Sequence, residues 1–121
     1  MMSTCARKLG ATGAVVDGYS RDTQGILKLN FPTFSSGRYA QDQGPRGQVI
    51  DFRVPLQFGE VLIQSGDIIF GDLDGVCVVP QEAEVDVFAK ALKKARGEKL
   101  VQRELETGMS TVDVFHKFGI M

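Results

Sequence analysis

Gly13-Ala14-Val15-Val16-Asp17-Gly18-Tyr19-Ser20-Arg21-Asp22 is the stretch on which the fold turns. Ala14, Val15 and Val16 form a short apolar run between glycines, the pattern of a buried strand. Just upstream, Cys5 to Leu9 reads as the last turns of a helix, with Lys8 suited to the negative end of the helix dipole and Gly10 as the stop. A strand this soon after a helix points to a βα unit that has lost its first strand. Downstream, Arg21-Asp22 precedes a short helix through Gly25 to Lys28, and Phe31-Pro32-Thr33-Phe34-Ser35 reads as the next strand. The local order is strand, helix, strand.

Beyond it, Gly37 to Gly47 is polar and glycine-rich, the most loop-like part of the chain. From Gln48 the pattern turns to β. Val49 to Val54 alternates in part, although Pro55 limits how it can pair inside a sheet. Val61-Leu62-Ile63 is a strand candidate followed by the turn signal Ser65-Gly66-Asp67. Ile68-Ile69-Phe70 and Val76-Cys77-Val78-Val79 flank Gly71-Asp72-Leu73-Asp74-Gly75, and Asp-Gly between apolar runs is a strong hairpin signal. Pro80 then opens a helix, where its missing N–H costs nothing. Val85, Phe88, Leu92 and Ala95 share one face of it, and the pattern runs through Leu100, Val101 and Leu105 to a stop at Gly108. Ser110 with Asp113 predicts a capping box for a last helix, Thr111 to Phe118. The expected architecture is a single α/β or α+β domain over residues 1–121, a mixed sheet followed by a helical tail.

Composition sets limits on function. Fourteen basic residues against fifteen acidic ones leave a net charge of −1, and both signs are interspersed. No basic stripe is available to neutralise phosphates, so direct nucleic-acid binding is not expected. No apolar run approaches the roughly 20 residues of a membrane span, and the N-terminus has no signal-type apolar stretch. Cys5 and Cys77 are too few and too separated for a disulfide framework, and neither has a Cys or His at metal-ligand spacing. These features predict a reduced cytoplasmic protein. Cys77, inside an apolar strand, is expected to act as a small buried hydrophobe.

Three segments taken together resemble one family. They are Gly13 to Asp22, ending in Arg-Asp; Ser65 to Pro80, which contains Asp72-Leu73-Asp74-Gly75-Val76; and the tail from Glu98 through Arg103 and Gly108 to Gly119. In this order they are similar to the RraA-like proteins and divalent-metal 4-hydroxy-4-methyl-2-oxoglutarate aldolases. The resemblance implies a swivelling β/β/α domain, N-terminally truncated, that assembles as a homotrimer or homohexamer with sites between subunits. It implies a class II aldolase or decarboxylase that releases pyruvate from 4-hydroxy-2-oxo acids or oxaloacetate. The family also has a non-catalytic branch, which lacks the metal-binding Asp and regulates ribonuclease E by binding it, so an RraA-like binding protein or an inactive truncated member is the alternative.

Retro-aldol cleavage of a 2-oxo acid leaves charge on a pyruvate enolate, and a divalent cation can hold that charge as a Lewis acid. By resemblance, Asp22 is the ligand of Mg²⁺ or Mn²⁺, Arg21 binds substrate and clamps the enolate oxygen, and Glu98 is the catalytic acidic residue given to a neighbouring subunit's site. Taken alone, Asp22 also fits a helix N-cap, Arg21 a surface charge and Glu98 a solvated glutamate. Asp67, Asp72 and Asp74 lack the EF-hand spacing and read as turn residues. His116 reads as a surface or interface residue. The family's substrate-carboxylate loop would fall at or before Met1, and Gly25 stands where aldolases often carry a carboxylate, so the resemblance implies slow turnover for this chain.

Overall fold

The computed structural model describes residues 1–119. Its contacts divide into two compact units, Met1–Val78 and Val79–Met121. The first unit opens with α1 (Met2–Lys8), capped at Leu9 and stopped where Gly10 takes a φ of 97°. Strand β1 (Ala14–Ser20), helix α2 (Thr23–Lys28) and strand β2 (Thr33–Arg38) follow, and the two strands pair in parallel. Arg7 of α1 donates to the carbonyl of Leu29 just after α2. Phe31, which precedes β2, is buried.

The β1–β2 register decides where the chain after β1 emerges. Ala14, Val15 and Val16 lie opposite Thr33, Phe34 and Ser35, but Tyr19 and Ser20 lie opposite Gly37 and Arg38. One extra residue therefore sits on β1 between Val16 and Tyr19, where Gly18 supplies a φ of 146°. Such a bulge bends a strand and re-aims the residues beyond it. At the other end Gly13 is held by close approach. A Cβ there would lie 2.9 Å from the Pro32 carbonyl oxygen, which accepts the Ala14 N–H at 2.9 Å. Val15 and Val16 remain partly exposed, because a two-stranded sheet covers little of either face.

The remaining strands form two further two-stranded sheets, not one mixed sheet. Strands β3 (Leu56–Phe58) and β4 (Val61–Ile63) make an antiparallel hairpin whose Gly59 carries the positive φ, 58°, that a two-residue loop needs. Strands β5 (Ile68–Gly71) and β6 (Val76–Val79) flank the expected Asp-Gly turn, closed by the Asp72 N–H on the Gly75 carbonyl at 3.0 Å. Val49 to Val54 forms no strand, contrary to its alternating pattern, and Val49 and Ile50 are 87% and 89% exposed. Local bonding wins there: the Asp51 carboxylate accepts the Phe52 N–H at 2.8 Å, Arg53 turns to a φ of 58°, and Pro55 follows. Cys77 is exposed, not buried.

In the second unit, Pro80 leads through one 3₁₀ turn into α3 (Glu84–Glu106), which passes Gly97 without a break. It ends at Thr107, with Gly108 at a φ of 95°. Helix α4 (Thr111–Phe118) begins at the expected capping box. The Ser110 hydroxyl oxygen accepts the Asp113 N–H at 3.2 Å and lies 2.6 Å from the Asp113 carboxylate. The two helices pack together with Val101 and Val114 buried. Lys117 pairs with Glu104 at 3.4 Å across them. The expected inward face of α3 is not the buried one: Val85 is 84% exposed and Leu92 54%. Helix α4 packs on the later part of α3, where Val101 is buried and Glu104 meets Lys117, not on the turn that carries Val85.

Candidate active site

Arg21 and Asp22 lie where β1 ends and α2 begins. Ligands of parallel sheets collect at the carboxyl ends of strands, because the connecting loops there bring side chains from separate elements together. The two strand ends are tied together through Ser20. The Tyr39 N–H donates to the Ser20 carbonyl at 3.0 Å, the Ser20 and Ser35 hydroxyls are 3.0 Å apart, and the Tyr19 and Tyr39 rings sit 5.7 Å apart.

Asp22 occupies the N-cap position of α2 but does not cap it with its side chain. Its main-chain carbonyl opens the helix, accepting the Gly25 N–H at 2.9 Å and the Ile26 N–H at 3.1 Å. The residue adopts left-handed backbone geometry, φ 60° and ψ 32°. Such geometry costs an L-residue about 1–2 kcal/mol, less for Asp. The carboxylate is thus exposed and left out of the cap, which departs from the ordinary reading of an Asp before a helix.

Arg21 is engaged by a residue that sequence reasoning missed. Its Nη2 lies 3.4 Å from Oδ1 of Asp42, with the two side chains 47% and 63% exposed. Asp42 falls in the polar stretch after β2, and nothing in local composition marked it; only its place beyond the second parallel strand could have. A cavity of about 180 Å³ is lined by Ser20 and Thr23, which bracket the Arg-Asp pair in sequence, with Ile26, Leu27 and Phe31. A larger one, about 700 Å³, lies among Val15, Phe34, Leu56, Phe58 and Ile69. Its lining holds no ionisable side chain, so it offers space without chemistry.

The other candidates belong to other elements. Glu98 belongs to α3, in the second unit, and faces Lys94 at 3.6 Å one turn away. His116 is exposed on α4. Asp67 accepts the Gln64 N–H at 2.8 Å and Asp72 the Asp74 N–H at 2.9 Å, so both are turn residues. Among the described residues no three His, Cys, Asp or Glu side chains converge on a metal position. Mg²⁺ keeps several waters and needs only one or two protein carboxylates. Asp22, exposed and uncapped, is suited to supply one.

Residues 1–78, the part that contains this site, match the RraA-like family, described as Aldolase/RraA. The chain belongs to that family. It is 36% identical over 110 residues to a Halalkalibacterium halodurans protein named "Putative 4-hydroxy-4-methyl-2-oxoglutarate aldolase", covering 91% of this chain and 52% of that one. It is 28% identical over 116 residues to an uncharacterized protein of Methanocaldococcus jannaschii, covering 96% of this chain and 55% of the relative. A crystal structure of an uncharacterized protein from Pseudomonas syringae pv. tomato superposes with a TM-score of 0.89 at 31% identity, over 93% of this chain and 56% of that one. The mixed helix-and-strand fold expected from the RraA-like resemblance is therefore the fold observed. The chain spans about half the length of these relatives. No helix among the described residues is long and apolar enough to cross a membrane.

Proposed function

We propose that this RraA-like chain carries the metal- and substrate-binding half of a class II aldolase or decarboxylase site, releasing pyruvate from 4-hydroxy-2-oxo acids or oxaloacetate. The observation that carries the reading is Asp22, whose carboxylate stands outside the helix cap beside Arg21 at the end of a parallel strand. A resident Mg²⁺ or Mn²⁺ would supply Lewis-acid polarisation of the 2-keto and 1-carboxylate oxygens. Asp22 would hold that ion through its carboxylate. In retro-aldol cleavage the C4 hydroxyl gives up its proton to solvent and becomes a carbonyl as the C3–C4 bond breaks, and the electron pair of that bond moves into an enolate on C2. Loss of CO₂ from oxaloacetate leaves the same enolate. Arg21 hydrogen-bonds the enolate oxygen as charge gathers there, and protonation at C3 gives pyruvate. A donor fixed in advance at such an oxygen is worth about 10²–10³ in rate.

Two further elements belong to the same reading. Glu98 serves a neighbouring subunit's site in a homotrimer or homohexamer. The presence of Asp22 favours the catalytic branch of the family over the branch that binds ribonuclease without metal. The test is metal-dependent pyruvate release, read by coupled lactate dehydrogenase. Arg21→Ala is expected to lower it roughly 10²-fold or more while Mg²⁺ binding by calorimetry is kept. Release that persists through both EDTA and Arg21→Ala refutes the mechanism.

A further inference from the structure

We propose that Asp42 is a positioning residue for Arg21, holding the guanidinium ready for an anionic 2-oxo acid; the inference rests on the role of Arg21 given above. An unpartnered arginine at a strand end samples many rotamers, and binding would have to freeze them. Asp42 removes part of that freedom beforehand. The contact between Nη2 and Oδ1, at 3.4 Å, engages one end of a group with five N–H donors and leaves the others for a ligand.

Asp42 can do this because it is itself tied down. Its Oδ1 also accepts the Gly44 N–H at 3.2 Å, and its carbonyl accepts from the Arg46 guanidinium. The Arg46 and Gly47 N–H groups both close on the Gln43 carbonyl, at 2.8 and 3.1 Å, so residues 42–47 form a self-bonded turn. That turn is anchored to the site through the Tyr39 N–H on Ser20, the residue before Arg21. The ion pair is therefore approached from both sides by short tethers.

A carboxylate beside Arg21 also opposes an incoming anion, and the balance has to be weighed. With both side chains about half exposed or more, water screens the charge of Asp42. The hold on Arg21 acts over a short 3.4 Å contact from a carboxylate already fixed by the Gly44 N–H, and is weakened less by screening than repulsion over a longer distance. Positioning outweighs repulsion.

The test uses oxalate, whose O–C–C–O edge mimics the enolate of pyruvate, titrated with Mg²⁺ present into the wild type, D42A, D42N, R21A and the double variant R21A/D42A. D42A is expected to weaken oxalate roughly two- to fivefold, the range of a partly exposed charge pair. D42N, which keeps the bond to Gly44, should fall between D42A and the wild type. In the R21A background D42A should change nothing further, since a residue acting only through Arg21 is silent without it. Urea midpoints of the single variants should match the wild type, because exposed pairs add little stability. Tighter oxalate binding by D42A, or an equal loss with and without Arg21, overturns the proposal. If R21A weakens oxalate and D42A does not, only the role of Asp42 falls. If R21A binds oxalate like the wild type, or the wild type does not bind it, the role of Arg21 falls and that of Asp42 with it.

Discussion

Replacing Asp22 should separate binding from stability, and the sign of each effect comes from its backbone. The two hydrogen bonds that open α2 use the Asp22 carbonyl, which any residue provides, and its side chain makes no capping bond. What the side chain contributes to folding is therefore only its tolerance of a φ of 60°. Glycine removes the steric cost of that geometry, about 1–2 kcal/mol for most L-residues, but adds about 0.5–1 kcal/mol of unfolded-state freedom. Because Asp already carries less of the steric cost, the two changes nearly cancel, and Asp22→Gly should be as stable as the wild type within about 0.5 kcal/mol. Asp22→Ser is the decisive variant. Serine caps helices about as well as aspartate but tolerates left-handed geometry poorly, so a loss of about 1 kcal/mol is expected. Both substitutions should abolish Mg²⁺ binding. Urea unfolding followed by circular dichroism gives the stabilities, and calorimetry gives the metal affinity. A serine variant as stable as the wild type would show that the carboxylate caps α2, and Mg²⁺ binding retained by Asp22→Gly would place the ion elsewhere.

Two other outcomes are expected. Gly13→Ala should destabilise the first unit by about 1–3 kcal/mol, since its new Cβ would stand 2.9 Å from backbone oxygen at Pro32 and disturb the Ala14 bond there; a change in urea midpoint equivalent to less than about 0.5 kcal/mol would mean the strands separate freely at that end. Light scattering at micromolar concentration should report a trimer or hexamer, the two-stranded sheets leaving edges that seek partners; a stable monomer counts against a site shared between subunits.

The elements that carry Arg21 and Asp22 were legible because the relevant signals are adjacent in sequence. Strand, Arg-Asp pair and helix follow one another in the structure in the expected order, with the strand running to Ser20, past the Gly18 that bounds its apolar run. Asp42 was not legible, because its contact with Arg21 depends on β2 lying parallel to β1 and on the turn beyond it. Val49 to Val54 misled for a related reason. An alternating pattern states what a segment could bury, but a strand needs a partner edge, and Asp51 offers the backbone a nearer bond.

What the amino-acid order determined alone was punctuation: the stops at Gly10 and Gly108, the entry at Pro80, the Asp72–Gly75 turn and the Ser110–Asp113 box. Each depends on dihedral preference or on hydrogen bonds spanning three or four residues, so distant neighbours hardly alter it. Tertiary structure decided the rest. It set the extra residue on β1, the left-handed turn at Asp22, the hold of Asp42 on Arg21, and burial of Val101 and Val114 in place of the Val85 face. These depend on which surfaces meet, and several apolar faces of similar strength compete for few partners. Pairing between residues far apart in the chain chooses among them, and no short window of sequence contains that choice.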